Sequence, residues 1–178
     1  STPEGFVITE FLPDVPWAGK YNVINCSGMH QFREGRWLKN PNYLLDYAEY
    51  WCREKTLARK YSFPIAYSFW EFYKVHPDTV FIKKSYAALK EIYAGWEKSH
   101  WDEKAGLFWQ KDGYDGMEVS VSGALSKDAT GYRATINSYM YADALALAEM
   151  AKLLDMQSDV EYYSAKAEQL KNVVNEKL

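Results

Sequence analysis

The chain has 178 residues, of which 48% are hydrophobic and 25% charged, and these values fit one globular domain over residues 1–178. The formal net charge is −3 without a basic stripe, and no apolar run approaches the roughly 20 residues that span a bilayer, so neither a nucleic acid nor a membrane is expected as a partner. Two cysteines, Cys26 and Cys52, and three scattered histidines do not make a disulfide framework or a zinc site, so no metal is predicted.

The first two thirds of the chain predict loops followed by three helices. Residues 1–36 are rich in glycine and proline and are expected to be a loop-rich segment. Asn40-Pro41 signals the start of a helix through residue 54, with Asn40 as its cap. A second helix is predicted from Ser62 to about residue 76, and a third from Asp78 to about Trp96.

Residues 99–136 interrupt the helical pattern and form a predicted active-site loop region. The stretch WDEKAGLFWQ, residues 101–110, indicates a tight turn at Gly106 between two short strands. Long irregular segments in compact domains are usually functional or disordered, and this one is too aromatic to be disordered.

Two further helices complete the predicted pattern. One begins at Asn137 or Ser138, with Tyr141 and Leu145 on its buried side, and the last is capped by Ser158 and runs to the end of the chain. The predicted class is all-α with short β excursions. The rhythm of helical hairpins over 37–178 indicates part of an (α/α)6-like toroid.

Aromatic residues make up 17% of the chain, and composition leaves two roles open for them: packing helices together or lining a carbohydrate cleft. Glycoside hydrolysis needs two carboxylates, one of which donates a proton. Glu118 lies between Met117 and Val119, and apolar neighbours raise the pKa of a carboxyl group, so Glu118 is the candidate proton donor. Asp112 and Asp115 are expected to be turn residues in preference to catalytic ones.

Two motifs carry a resemblance to a known group of enzymes. GMEVS at 116–120, followed by GYRATINSYMYADALALAE, is similar to a pattern in six-hairpin glycosidases of the trehalase and processing-glucosidase type and in mannosylglycerate hydrolase-like proteins. The resemblance implies an (α/α)6 toroid, an inverting mechanism, a carbohydrate substrate and no organic cofactor. It assigns the general acid to Glu118.

The resemblance also implies substrate contacts. Arg36 and Trp37 are similar to a trehalase stretch that binds sugar, with packing against the first helix as the alternative. Arg133 could bind sugar hydroxyls or form a structural salt bridge. Asn137 could bind sugar hydroxyls or cap the helix that follows. The full set of candidate substrate-binding residues is Arg36, Trp37, Trp109, Asp115, Tyr132, Arg133, Asn137 and Tyr141.

Three departures from the family pattern limit what this chain is expected to do alone. Trp37-Leu38 stands where the trehalase-like stretch has Trp-Asp, which argues against glucose-type recognition. The acid is usually Asp, and the general base lies far downstream, so we expect the base in the remainder of the parent polypeptide, which would then act as a partner. A bacterial carbohydrate-degrading enzyme of this kind would be secreted or periplasmic. The alternatives are a non-catalytic carbohydrate-binding or scaffold fragment, or a helical-toroid polysaccharide lyase with Tyr114 or Tyr132 as base.

Overall fold

The computed structural model describes residues 2–12, 15, 16, 18, 20–116 and 128–178. These ranges contain six α-helices and a three-stranded antiparallel sheet, and none of the helices is both long and apolar enough to cross a membrane. The helices are α1 (Gly28–Gly35), α2 (Asn42–Arg53), α3 (Ile65–Tyr73), α4 (Thr79–His100), α5 (Ala134–Leu153) and α6 (Gln157–Lys177), and the strands are β1 (Trp101–Asp102), β2 (Leu107–Lys111) and β3 (Thr130–Tyr132).

The helices form two layers. In one layer α1 packs on α3 and α3 packs on α5, while α2 and α4 contact each other in the second layer, and α6 packs along α5. The core between them is built from large buried side chains: Phe32, Tyr47, Trp51, Phe69, Trp96 and Leu147. This stacking of helical hairpins confirms the predicted class, all-α with short β excursions and part of a helical toroid.

Helix α1 was not predicted, because its two terminal glycines look like turn signals. Both glycines instead allow close packing. A Cβ atom on Gly28 would lie 2.6 Å from the ring of Phe63, and one on Gly35 would lie 3.0 Å from Leu44. The helix buries Phe32, whose ring centroid is 5.0 Å from that of Phe69.

The next three helices are confirmed, with shifted ends. The predicted start of α4 at Asp78 is confirmed to within one residue. Asp78 is the N-cap, and its carboxylate accepts hydrogen bonds from the backbone N–H groups of Val80 (2.8 Å) and Phe81 (3.3 Å). Helix α4 continues past Trp96 to His100. Local capping signals therefore located the beginning of this helix better than its end.

The predicted hairpin is also confirmed. Strands β1 and β2 pair antiparallel, with Trp101 opposite Phe108. Asp102 closes the turn by accepting from two backbone N–H groups, and Gly106 has a φ of +68°, which favours glycine. Strand β3, which pairs Tyr132 with Trp109, was not predicted.

Three predicted features of the last two helices are wrong. Helix α5 begins at Ala134, so Asn137 lies inside it and is not its cap, and Ser158 likewise lies within α6. Leu145, predicted to be buried, is 43% exposed. Helix α5 is apolar on most sides, so the spacing of its apolar residues does not single out one buried face.

Asp143 is a fully buried acid on α5 that caps a different helix. Its Oδ1 accepts a hydrogen bond of 2.9 Å from the backbone N–H of Tyr67, in the first turn of α3. Pro64 precedes that turn and has no side-chain acceptor to offer, so the cap comes from α5. Burial raises the pKa of Asp143 to about 8, and hydrogen bonds from the backbone at the start of α3 offset this only in part.

The substitution Asp143→Asn should flatten the pH dependence of stability. The unfolded carboxyl group has an ordinary pKa of 3.8. Between about pH 4 and pH 8 the folded protein therefore keeps a proton that the unfolded chain has released, and the free energy of unfolding falls as the pH rises. Asparagine keeps an acceptor for Tyr67 but does not titrate.

Urea unfolding at a series of pH values measures this difference. Asp155→Asn, in the exposed turn after α5, is the matched control and should leave the wild-type slope in place. Parallel pH profiles for the wild type and Asp143→Asn would contradict the expectation.

Candidate active site

Three loops meet at one end of the helical layers. Asn25, just before α1, donates a hydrogen bond of 2.6 Å to the carbonyl of Tyr61, in the connection between α2 and α3. Ser62 in the same connection donates from its backbone N–H to the carbonyl of Tyr114 at 2.7 Å, and its hydroxyl accepts from Gln110 at 2.9 Å. The segments that precede α1, α3 and α5 are thus joined at this end.

The buried guanidinium of Arg133 organises the segment before α5. Its side chain is 4% exposed and donates to the carboxylates of Asp112 and Asp115, the second at 3.4 Å. It also donates to the backbone carbonyls of Gln110 (3.1 Å) and Ala129 (3.2 Å). The salt bridge that was the alternative for Arg133 is therefore present, and a sugar contact by Arg133 stays a prediction.

Asp115 is the inner partner of this network. Its side chain is 1% exposed and also accepts a hydrogen bond of 3.1 Å from the Thr135 hydroxyl, in the first turn of α5. The next residue, Gly116, has a φ of +80°, and a Cβ atom there would lie 4.0 Å from the Cβ of Cys26. Directly after Asp115, the chain therefore passes next to Cys26. Glu118 lies outside the described residues.

A chain of polar side chains lies next to Cys26. The Ser27 hydroxyl donates to Glu10 and accepts from Gln31 at 3.0 Å, and Gln31 in turn accepts from the Tyr47 hydroxyl at 2.7 Å. Burial raises the pKa of Tyr47, so its hydroxyl stays protonated and is able to donate. These residues were not predicted, since no local pattern connects positions so far apart in the chain.

Aromatic rings also lie near Cys26 and Asp115. Tyr61 and Tyr114 stack with ring centroids 5.6 Å apart. Burial raises the pKa of Tyr139, on α5, and the charges of Asp115 and Cys26 act on it in the same direction. These tyrosines therefore combine apolar ring surfaces with hydroxyl groups, as sugar-binding sites require.

Trp109 and Tyr132 pair across β2 and β3 and line an open depression of about 460 Å³. The Trp109 ring stacks on His100 at 4.5 Å, and the Tyr132 hydroxyl donates to Asp102 at 2.6 Å. Both rings are held in place, and Tyr132 is exposed. They form a surface on which a sugar ring could stack.

Asn137 is 0% exposed and its amide is fully used within the chain. It accepts from the backbone N–H of Phe108 and donates to the carbonyl of the same residue, both at 2.8 Å, and it donates to the Arg133 carbonyl. The side chain thus pairs with β2 as a neighbouring strand would. Tyr141 lies one turn further along α5, on a small depression against α6.

Arg36 and Trp37 lie at the other end of α1 from Cys26. Arg36 pairs with Glu71 at 2.7 Å, and its guanidinium lies 5.0 Å from the Trp37 ring. About two turns of helix separate them from the three joined loops. The structure therefore does not bring this predicted sugar clamp together with the Arg133 network.

The cysteines differ in environment. Burial raises the pKa of Cys52 to about 11, so this thiol is protonated at neutral pH, while Cys26 is partly exposed beside Gly116. Among the described residues, no group of three or more His, Cys, Asp or Glu side chains is arranged to hold a metal ion.

The family model described as "Mannosylglycerate hydrolase MGH1-like glycoside hydrolase domain" matches residues 20–178. The chain belongs to this family. The match confirms the resemblance to six-hairpin glycosidases and mannosylglycerate hydrolase-like proteins. A search of curated proteins gave no significant match.

A solved structure named "Sialidase" is similar to this MGH1-like domain, with a TM-score of 0.86 and 34% identity. The alignment covers 98% of this chain and 16% of that one, so the chain spans about one sixth of the length of the protein it matches. The likeness extends over nearly all of the present fold.

The substitution Arg133→Met should destabilise this MGH1-like domain by about 3–5 kcal/mol, because it leaves two carboxylates without their buried cation. Lys171→Met removes a charge of the same sign from an exposed pair with Glu168, and should cost less than about 1 kcal/mol.

Chemical denaturation measures both free energies, and hydrogen exchange locates the change. Amides of residues 107–116 should exchange faster in Arg133→Met and at the wild-type rate in Lys171→Met. A stability loss no larger than that of the surface control would contradict the role given to Arg133.

Proposed function

We propose that this domain is part of the catalytic toroid of a glycoside hydrolase and that Glu118 is its general acid. The observation that carries the proposal is the anchoring of Asp115 by buried Arg133, three residues before Glu118, where three loops join. A catalytic acid must be held in place within a few tenths of an ångström, and a buried ion pair supplies such an anchor.

In the proposed reaction Glu118 donates its proton to the glycosidic oxygen as the bond to the anomeric carbon breaks. A second carboxylate, about 6.5–9.5 Å away, takes a proton from the water that attacks the opposite face, so the anomeric configuration inverts. We place this second carboxylate in the remainder of the parent polypeptide.

The residues next to Glu118 in the sequence favour the protonated form that the mechanism needs. Met117 and Val119 flank it in the sequence, and apolar neighbours disfavour a charged carboxylate.

The proposed substrate is a glycoside or oligosaccharide, and no organic cofactor is needed for its hydrolysis. The stacked pair Tyr61 and Tyr114 would contact the sugar nearest to the Glu118 segment. Trp109 and Tyr132 provide a second aromatic surface on the neighbouring sheet. Stacking on such rings suits the apolar faces of sugars.

The substitution Glu118→Gln in the full-length protein should lower kcat about 10²–10⁴-fold for substrates with a poor leaving group, because the amide has no proton to donate. Aryl glycosides with an acidic phenol as leaving group need little protonation, so their turnover should fall much less. Steady-state kinetics on a series of leaving groups measures the difference.

Glu103→Gln is the matched control, since Glu103 is an exposed acid of the β1–β2 turn that accepts a hydrogen bond from the Trp101 indole. It should leave kcat within about twofold of the wild type. An equal loss of turnover for every leaving group in Glu118→Gln would remove Glu118 as the proton donor.

A further inference from the structure

Glu10 is an exposed acid beside the candidate site. Among the residues that the structure describes, the Ser27 hydroxyl donates to its Oε1, no donor reaches its Oε2, and no cation forms a salt bridge with it. Glu4, another exposed acid of the same segment, is by contrast paired with Lys20 at 2.7 Å. The Oε2 atom of Glu10 is therefore left to accept a hydrogen bond from another molecule.

A chain of hydrogen bonds leads from the core to this carboxylate. It begins at Tyr47, which is 0% exposed and whose hydroxyl donates to Gln31 Oε1 at 2.7 Å. That contact orients the Gln31 amide, so that its Nε2 donates to Ser27 Oγ at 3.0 Å. The single proton of the Ser27 hydroxyl is directed to Glu10, which is nearer than the Ile24 carbonyl at 3.3 Å. A buried network thus holds the exposed carboxylate in one orientation.

The backbone that carries Glu10 is also fixed. The N–H of Glu10 donates to the carbonyl of Asn22 at 3.2 Å, and the side-chain amide of Asn22 donates to the carbonyl of Phe11 at 2.7 Å. Asn22 itself is 2% exposed. Holding a long side chain in one conformation costs entropy, and an acid that only interacts with water needs no such support. The arrangement therefore indicates a binding role for this carboxylate.

Glu10 lies close to the stacked tyrosines and to the start of the Glu118 segment. Cys26 precedes the serine that donates to Glu10, and its Cβ is 4.0 Å from a Cβ atom placed on Gly116. Burial raises the pKa of Tyr61, and the charges of neighbouring groups, Glu10 among them, act on it in the same direction. The carboxylate and the aromatic pair therefore lie at the same end of the helical layers.

We propose that Glu10 contacts the substrate, with its Oε2 accepting a hydrogen bond from a hydroxyl of the sugar that lies against Tyr61 and Tyr114. A carboxylate accepts hydrogen bonds, and a sugar hydroxyl donates one, so the two groups match. A hydrogen bond to a charged acceptor is about twice as strong as one between neutral groups. This contact rests on the proposed function for the saccharide and deepens it by naming a residue that determines specificity.

A structural role for Glu10 predicts a different result. The acid lies near the N-terminus of α1, since Ser27 is the N-cap residue of that helix, and a negative charge there stabilises a helix. That effect does not depend on which sugar is bound. A comparison of sugars that differ by one hydroxyl therefore separates the two roles, because a site built to bind a hydroxyl discriminates against the analogue that lacks it.

Isothermal titration of the full-length Glu118→Gln protein with the methyl glycosides of glucose, galactose and mannose tests the contact without turnover. At least one glycoside should bind. Adding Glu10→Gln should weaken its binding about 10-fold, because the amide lacks the charge but keeps an acceptor for Ser27. The monodeoxy analogues of that glycoside then locate the contact: the analogue that lacks the recognised hydroxyl should bind equally well to both proteins.

Glu4→Gln is the matched control, because it removes an acid from the same segment and should leave all affinities unchanged. Glu10→Asp keeps the charge but withdraws it by one methylene, so it should also weaken binding, and it carries the test if thermal unfolding shows that Glu10→Gln is not folded. Three results would overturn the proposal: no glycoside binds, both Glu10 variants keep the parent affinities, or the loss in Glu10→Gln is the same for every deoxy analogue.

The two proposals fail separately. Wild-type turnover in Glu118→Gln would overturn the assignment of the general acid and leave the binding result at Glu10 intact. Unchanged binding in the Glu10 variants would overturn the hydroxyl contact and leave the leaving-group series intact.

Discussion

The buried guanidinium of Arg133 is the constraint on which the candidate site depends. A guanidinium cannot lose its charge, so burying it forces carboxylates and carbonyls to gather around it. Asp112 and Asp115 from the α4–α5 connection meet that need, and the same connection is fixed to α5 through Asn137 and to the α2–α3 loop through Ser62. A long connection, which would cost much entropy to order, is thereby held in one conformation up to Gly116.

The helical layers make this arrangement possible by bringing the beginnings of three helices to one end. Close packing of α1 depends on Gly28, where any side chain would collide with Phe63. Helix α3 follows Pro64 and takes its cap from Asp143 of α5, so this hydrogen bond fixes α3 against α5 at that end. The contacts that stabilise the fold therefore also position the loops of the candidate site, as expected where irregular segments are supported by a rigid scaffold.

The sequence predicted the features that depend on neighbouring residues. The helix start at Asp78 and the turn at Gly106 each depend on residues within a few positions, and both are confirmed. Features that depend on distant residues were missed or misplaced: Gly28 resembles a turn residue until its contact with Phe63 is known, and Asn137 resembles a cap until its pairing with β2 is known.

The same limit applies to the candidate site. The motif around Glu118 could be compared with a family, but Tyr139 and the hydrogen-bonded Ser27 and Gln31, which lie near Cys26, come from segments with no sequence signal of their own. Only the resemblance assigned Arg36 to the site. In the structure, Arg36 follows the C-terminal end of α1, whereas Cys26 lies before the other end of that helix.

The most direct test is a crystal structure of the full-length protein with a non-hydrolysable substrate analogue bound. We predict that the Glu118 carboxyl group lies within about 2.6–3.2 Å of the atom that replaces the glycosidic oxygen, while the Arg133 ion pairs stay intact. A second carboxylate should face the opposite side of the sugar. An analogue bound with Glu118 beyond hydrogen-bond reach, and with another acid at the glycosidic position, would contradict it.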